Sequence, residues 1–354
     1  RVPGTCPAPV RSGPKQWLAA RGHRHAPPAQ HDTDSETTMG ITDFALTTGS
    51  GKVTAEQLAR ESGCDQDKVN EILPAGRLSA LGPGESSWSL GRDAAAKVLA
   101  RNGVSPEDIG LVIYAGSSEW GTPFWSPAAK IAQELGILQA HCYEVSNFCN
   151  AAPTAIRIAD DQVKAGACRY ALVVVADRLS ELVDRPGGLV ELFNFADGAA
   201  AVLVSAEKPR YEVLASANRT DPTFVDLYYG EVRENEVKVF RREGGEGLGE
   251  AFITNFTALT EQVLTAVGRG LADVAYLLVT HGNRNTQVKL LDTLGLPHER
   301  SVFNYEVEGH LGGADPLLAL EDLERAGRLE SGDLVLLATA GSGFTWGVTA
   351  LQVV

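Results

Sequence analysis

The sequence has little of what would place it in several large classes of protein. No apolar run approaches the ~20 residues needed to span a bilayer, so no membrane-crossing helix is expected. Positive charge is in the minority: 31 Lys and Arg against 45 Asp and Glu leave a net charge of −14 and a pI near 5.0. A nucleic-acid-binding face needs clustered cations, and this balance argues against one. Cysteine is sparse as well. Cys6, Cys64, Cys142, Cys149 and Cys168 are odd in number, scattered, and free of any CxxC or Cys/His spacing. That pattern speaks against a disulfide framework or a structural metal, and for reduced thiols in a cytoplasmic protein.

Methionine is rarer still, and its single occurrence, Met39, marks a change of character. Residues 1–38 are rich in Pro, Arg, His and Gly, without hydrophobic periodicity and without the apolar centre of a signal peptide. They read as a disordered upstream extension, with a short ordered arm as the alternative. Directly after Met39 comes GITDFAL, a plausible first strand. At 44% hydrophobic residues, the chain has ample material for a large core.

Beyond Met39, short runs rich in Val, Ile and Leu recur: LVIYAG (111–116), YALVVVA (170–176), AAAVLV (199–204), AYLLVT (275–280), DLVLLAT (333–339) and VTALQVV (348–354). Unalternating runs of this length suit strands buried on both faces. Between them, SPAAKIAQEL, AAPTAIRIADDQVKAG and DPLLALEDLERAG carry apolar residues at helical spacing and stop near Gly. The chain is α/β.

It also repeats itself. A helix ending in Leu-Gly, a strand, a long helix ending in Ala-Gly, an apolar strand and a closing strand occur in that order twice, first in LGILQAHCYEV…FADGAAAVLV and again in LGLPHERSVFNYEV…GFTWGVTALQV. Aligning Ala165-Gly166 with Ala326-Gly327 gives an offset of 161 residues, which sets Cys149 opposite His310. Likewise LVIYAG, preceding the first copy, matches YLLVTHG, preceding the second, so His281 follows the end of a central strand. Two homologous halves, 39–208 with the cysteine and 209–354 with the histidines and the GFTWG turn, are therefore expected in one layered body. Cys149, His281 and His310 would converge on its pseudo-twofold axis.

The expected chemistry follows from that placement. Cys149 precedes a helix starting near Ala151, where amides and the helix dipole favour the thiolate, a nucleophile. A histidine on a strand end supplies the proton acceptor or donor that thiol chemistry needs. The Gly-rich turn AGSGFTWG (340–347) is of the kind whose N–H groups face an oxyanion.

Taken together, FADGAAAVLV, a cysteine followed by a helix, HGN after a strand, and GFTWG resemble β-ketoacyl-acyl-carrier-protein synthase III and its relatives in the thiolase superfamily, across nearly all of Met39 to Val354. The resemblance implies the thiolase fold, a duplicated five-layered αβαβα architecture, in a homodimer. It implies acyl donors arriving as coenzyme A or acyl-carrier-protein thioesters through a pantetheine tunnel, with no other cofactor. Cys149 is then the acylated nucleophile and His281 its principal acid/base partner. The amides of Cys149 and Ser342 form the oxyanion hole, Phe124 closes the acyl pocket near the dimer interface, and Phe344 of GFTWG contacts substrate.

The chain departs from that pattern where the reaction is decided. Condensing members carry GNTSAA; this chain reads GHLGGAD, so His310 occupies the Asn position and Asp315 follows. GHxGGAD resembles the divergent branch in secondary metabolism, some of whose members use Cys, His and Asp to move a finished acyl group onto a hydroxyl or amine of a small acceptor. Asp315 orienting His281 as a base would favour such transfer over decarboxylative condensation. The alternative for Asp315, followed by Pro316, is a helix N-cap. In place of HQAN stands HGNRNT, which makes Asn283 and Arg284 candidates for donor or acceptor contact. The shortened AGRLSALGPGE (75–85) favours carrier-protein delivery over coenzyme A. Three readings stand: an ester- or amide-forming acyltransferase, a decarboxylating condensing enzyme, and a catalytically silent subunit. Segments 178–194 and 218–250 lie outside the repeat and are expected either to cap the site, with Phe224, Tyr228 and Tyr229 shaping the pocket, or to make dimer contacts.

Overall fold

The structure, a computed structural model, describes residues 39–187, 189–280 and 283–354. The expected extension over residues 1–38 and the candidate His281 lie outside the described residues. The first half runs β1 (Gly40–Thr48), β2 (Gly51–Thr54), α1 (Ala55–Ser62), α2 (Gln66–Ile72), β3 (Arg77–Ala80), α3 (Ser87–Asn102) and β4 (Ile109–Gly116). It continues through α4 (Pro127–Glu134), β5 (His141–Ser146), α5 (Ala151–Lys164), β6 (Tyr170–Arg178), α6 (Leu179–Leu182) and β7 (Asp197–Ser205). The second half runs β8 (Tyr211–Thr220), the hairpin β9 (Tyr228–Arg233) and β10 (Glu236–Arg241), α7 (Leu248–Ala266) and β11 (Val274–Val279). It ends with α8 (Arg284–Leu294), α9 (Tyr305–Glu308), α10 (Asp315–Arg325), β12 (Leu334–Gly341) and β13 (Thr345–Val353).

Nine strands are hydrogen-bonded in the order β11-β12-β13-β8-β1-β7-β6-β4-β5. The β1–β8 junction is short, pairing Gly40 with Glu212 and Ile41 with Tyr211, so the assembly reads as a five-stranded and a four-stranded sheet joined at one corner. Helices α5 and α10 lie between the two sheets and contact both. α3 and α4 cover the outer face of the first sheet, and α7 and α8 that of the second. Three apolar layers result, one on each side and one at the centre, which is the five-layered αβαβα arrangement. Strands β4, β6, β7 and β12 are buried on both faces, and this is why their sequences show continuous apolar runs instead of alternation.

The two halves are not identical. A strand expected in SVFNYEV (301–307) is absent; the segment runs as coil into the short α9. Side chains take the place of a ladder on the β11 edge: Ser301 Oγ donates to Leu277 O at 2.5 Å and Arg300 Nη1 to Val274 O at 2.7 Å. Gln287 Nε2 then donates to Ser301 Oγ and Val302 O, at 2.8 and 3.0 Å, tying the segment to α8. An edge whose carbonyls are filled this way offers no ladder to a further strand.

At the centre the two halves meet closely. A Cβ on Gly313, just before α10, would sit 3.1 Å from Val175 Cγ1 and 3.3 Å from both Cβ and N of Ala152 at the start of α5, so the bare glycine lets the two helix starts approach without displacing a neighbour. Asp197, from FADGAA, braces the loops above. Fully buried, its carboxylate accepts from Leu81 N (2.8 Å), Ser180 N (2.8 Å) and Ser180 Oγ (2.6 Å).

Asp197→Ala should therefore strand three buried donors and cost about 3 kcal/mol. Urea unfolding checks this: the midpoint should fall with the slope unchanged, and a loss below about 0.5 kcal/mol would show that the brace is dispensable.

Candidate active site

Cys149 stands where the chain leaves the first sheet. β5 ends at Ser146, a tight turn spans Phe148–Asn150, and α5 begins at Ala151. The turn is fastened from within: Asn150 N donates to Asn147 O at 3.0 Å, Asn147 Nδ2 to Thr154 Oγ1 at 3.1 Å, and Thr154 Oγ1 to Asn150 O at 2.8 Å. The half-buried thiol is thus held beside the amino end of a 14-residue helix, as its sequence position implied.

His310 faces it from the other half. Its backbone is clamped between N–H donation to Asn194 O (2.7 Å) and acceptance from Ala196 N (2.9 Å), and its ring packs 5.3 Å from that of Phe195. Nε2 lies 3.2 Å from Cys149 Sγ. Nδ1 lies 2.5 Å from Asp315 Oδ2, while Asp315 Oδ1 accepts from Leu311 N at 2.7 Å. The histidine is 5% exposed and the aspartate fully buried. Burial by itself pushes the imidazole pKa down, but the Asp315 carboxylate and the Cys149 sulfur outweigh it and hold His310 well above the usual histidine value. An imidazolium in this setting donates from both nitrogens, to sulfur on one side and carboxylate on the other.

One expectation changes. Among the described residues the histidine in contact with the sulfur is His310, and the Asp315 carboxylate engages its ring; the expected pairing of Asp315 with His281 lies outside the described residues. Asp315 does not cap a helix. It is the first residue of α10, the N-cap is Ala314, and the carboxylate turns back to His310 and Leu311. Near this pair sits a carboxyl that sequence reasoning missed. Asp177, at the end of β6, accepts from Ser117 N (2.8 Å) and Ser117 Oγ (2.7 Å) through Oδ1, and burial pushes its pKa up.

Cys149 and His310 open into one cavity of about 530 Å³. Its walls are mainly apolar, with Leu179, Leu182 and Leu192 from 178–194, Val237 and Val239 from the hairpin, and Phe252 from α7. Among the described residues no Lys or Arg lines it; the charged carboxylates there are Glu119 and Glu191, which meet Arg178 and Arg241 at 3.1 and 3.4 Å. Asn283 and Phe344 line the cavity, as does Tyr228. Asn283 also caps α8, accepting from Asn285 N and Thr286 N. Arg284 does not line it: its guanidinium pairs with Glu306 at 2.5 Å and lies over Phe303. Phe224 packs behind Phe344, and Tyr229 sits against Phe240 away from the lining. Phe124 is fully exposed and closes nothing within its own chain. Gly341 and Ser342 line the cavity beside Cys149, and a Cβ on Gly341 would lie 3.1 Å from Cys149 N. The proposed oxyanion donors thus belong to adjoining turns. Together these groups can generate a thiolate, move a proton at Nε2, and hold an apolar acyl chain away from water.

Comparison with known proteins gives the family and the fold. Residues 143–222 match the family model for 3-oxoacyl-[acyl-carrier-protein] synthase III, and residues 264–353 match the model for its C-terminal part. A β-ketoacyl-[acyl-carrier-protein] synthase III from Sphingopyxis alaskensis is 32% identical over 77% of this chain and 85% of its own length. One from Rhizobium meliloti is 32% identical over the same shares. Among solved structures, the priming β-ketosynthase of the R1128 polyketide pathway superposes with a TM-score of 0.80 over 89% of this chain and 96% of that one, at 20% identity. The 3-oxoacyl-[acyl-carrier-protein] synthase III of Aquifex aeolicus superposes with a TM-score of 0.79 over 89% and 99%, at 23% identity. These last two likenesses establish the thiolase fold.

The charge on His310 makes a stability prediction with a definite sign. A histidine whose folded pKa is raised contributes stability that is complete below about pH 6.5, its unfolded value, and is lost as pH rises through the folded value. The stability gap between wild type and Asp315→Asn should be widest near pH 6 and shrink at alkaline pH. Urea midpoints across that range test it, and a gap independent of pH would rule out the charged pair.

Proposed function

The chain belongs to the 3-oxoacyl-[acyl-carrier-protein] synthase III family, and within it we propose an acyltransferase that loads an acyl group onto Cys149 and passes it to a hydroxyl or amine of a small acceptor. The observation that carries this reading is the Cys149–His310–Asp315 relay, with 3.2 Å from sulfur to Nε2 and 2.5 Å from Nδ1 to carboxylate. An imidazole backed by a carboxylate is suited to removing a proton from an attacking hydroxyl, a step that ester formation requires and decarboxylative condensation does not.

In the first half-reaction the thiolate attacks the thioester carbonyl, the carbon–sulfur bond to the donor breaks, and the departing thiolate takes the proton from His310 Nε2. In the second, the acceptor gives its proton to Nε2 as its oxygen or nitrogen attacks the acyl carbon, and Cys149 leaves as thiolate. Amides of Cys149 and Ser342 would stabilise the oxyanion in both. His281 enters as a second acid/base candidate on its sequence position alone. A cavity wall without lysine or arginine among the described residues suits the neutral pantetheine arm of a donor whose phosphates or carrier stay at the mouth. The exposed Phe124 and the unpaired edge of β5 suit a homodimer in which Phe124 enters the partner's cavity; a monomeric mass by light scattering would overturn that arrangement.

A second reading, decarboxylative condensation, is favoured by the relatives named β-ketoacyl-[acyl-carrier-protein] synthase III. Intact-mass analysis with acyl thioesters should show an adduct that Cys149→Ala abolishes. His310→Ala should slow its transfer to an acceptor by about 10²- to 10⁴-fold. Release of labelled CO₂ from a malonyl thioester, with extension of the chain, would replace the first reading with the second.

A further inference from the structure

Immediately after the nucleophile stands a buried amide that the chemistry above does not use. Asn150 is fully buried, and a polar side chain so placed is costly unless its groups are bonded. Both are bonded, and both to the opposite half of the molecule: Thr339 Oγ1, on β12, donates to Asn150 Oδ1 in a short contact, and Asn150 Nδ2 donates to Asn218 Oδ1, on β8, at 3.2 Å. Thr339 is itself fully buried, and Gly347 on β13 leaves the room the two amides occupy, since a side chain there would overlap both.

β12 runs two residues beyond Thr339 to Gly341, which packs against Asn147 O and Cys149 N, and Ser342 follows. The nucleophile turn and the turn carrying the second oxyanion donor come from different sheets, and neither can set their separation alone. Asn150 is covalently next to one and hydrogen-bonded to the strand that delivers the other. We propose that Asn150, held by Thr339 and Asn218, is a positioning residue that fixes the distance between the Cys149 and Ser342 amides and so governs acylation by thioesters. The inference rests on the acyl-enzyme reading above.

Attack on a thioester requires both the thiolate and the oxyanion donors, whereas alkylation by iodoacetamide requires the thiolate alone. Thr339→Val removes the hydroxyl with little change of volume, leaving Cys149, His310 and Asp315 in place. With the full chain and acetyl-, butyryl- and octanoyl-N-acetylcysteamine as probes, Thr339→Val should acylate about 10-fold more slowly or worse. Its alkylation rate and the pH profile of that rate should stay within about twofold of wild type. Thr339→Ser, which keeps the hydroxyl, should restore acylation towards wild type. Acylation of Thr339→Val within about twofold of wild type, or an equal fall in acylation and alkylation, overturns the inference while leaving the acyl-enzyme reading intact. A wild type that gains no acyl mass from any probe overturns both.

Discussion

Without fixed negative charge beside it, a histidine sealed from water gives up its proton. His310 keeps its own because the Asp315 carboxylate stands 2.5 Å behind Nδ1 and the sulfur of Cys149 stands 3.2 Å in front of Nε2. Much of the surrounding architecture serves that arrangement. The backbone of His310 is pinned to Asn194 and Ala196, Asp315 is pinned by the Leu311 amide, and the close approach of Gly313 to Ala152 brings the start of α10 against the start of α5. Remove the carboxylate and the imidazole reverts to a buried neutral base with weaker pull on the thiol proton.

The second constraint is that the site is a seam. Cys149 and His310 arrive from separate halves of the chain, whose sheets hydrogen-bond only at a corner, so their alignment depends on contacts that cross the centre. Apolar packing of α5 and α10 supplies cohesion but little direction. Direction comes from the polar ties, His310 to Cys149 and Thr339 to Asn150, which are short and specific. Around the seam the cavity is apolar, which strengthens electrostatic contacts at the sulfur and suits a hydrocarbon chain better than a phosphate.

Much of this was legible in the residues, for identifiable reasons. Runs such as YALVVVA and AAAVLV announced strands because a strand covered on both faces has no solvent side to encode. The internal repeat matched Cys149 with His310 at an offset of 161, the same separation at which their side chains now meet. Other features left no such trace. β8 carries mixed polarity in YEVLASANRT, and the β9–β10 hairpin lies outside the repeat, so neither stood out. The missing fifth strand at 301–307 was misread because SVFNYEV has strand composition while its place on the β11 edge is taken by side chains. Asn150 and Thr339 carry no periodic or compositional signal at all.

By itself, then, the sequence determined the α/β class, the duplicated fold and the family, and it singled out Cys149 as the candidate nucleophile, because each is written in local pattern, spacing or motif. That His310 touches the sulfur, and whether Asp315 caps a helix or holds an imidazole, was decided only by tertiary structure. A carboxylate at the head of a helix can turn to the backbone or to a neighbouring ring. The choice depends on the position of a side chain five residues earlier, fixed in turn by the segment that leads into β7 in the other half of the chain.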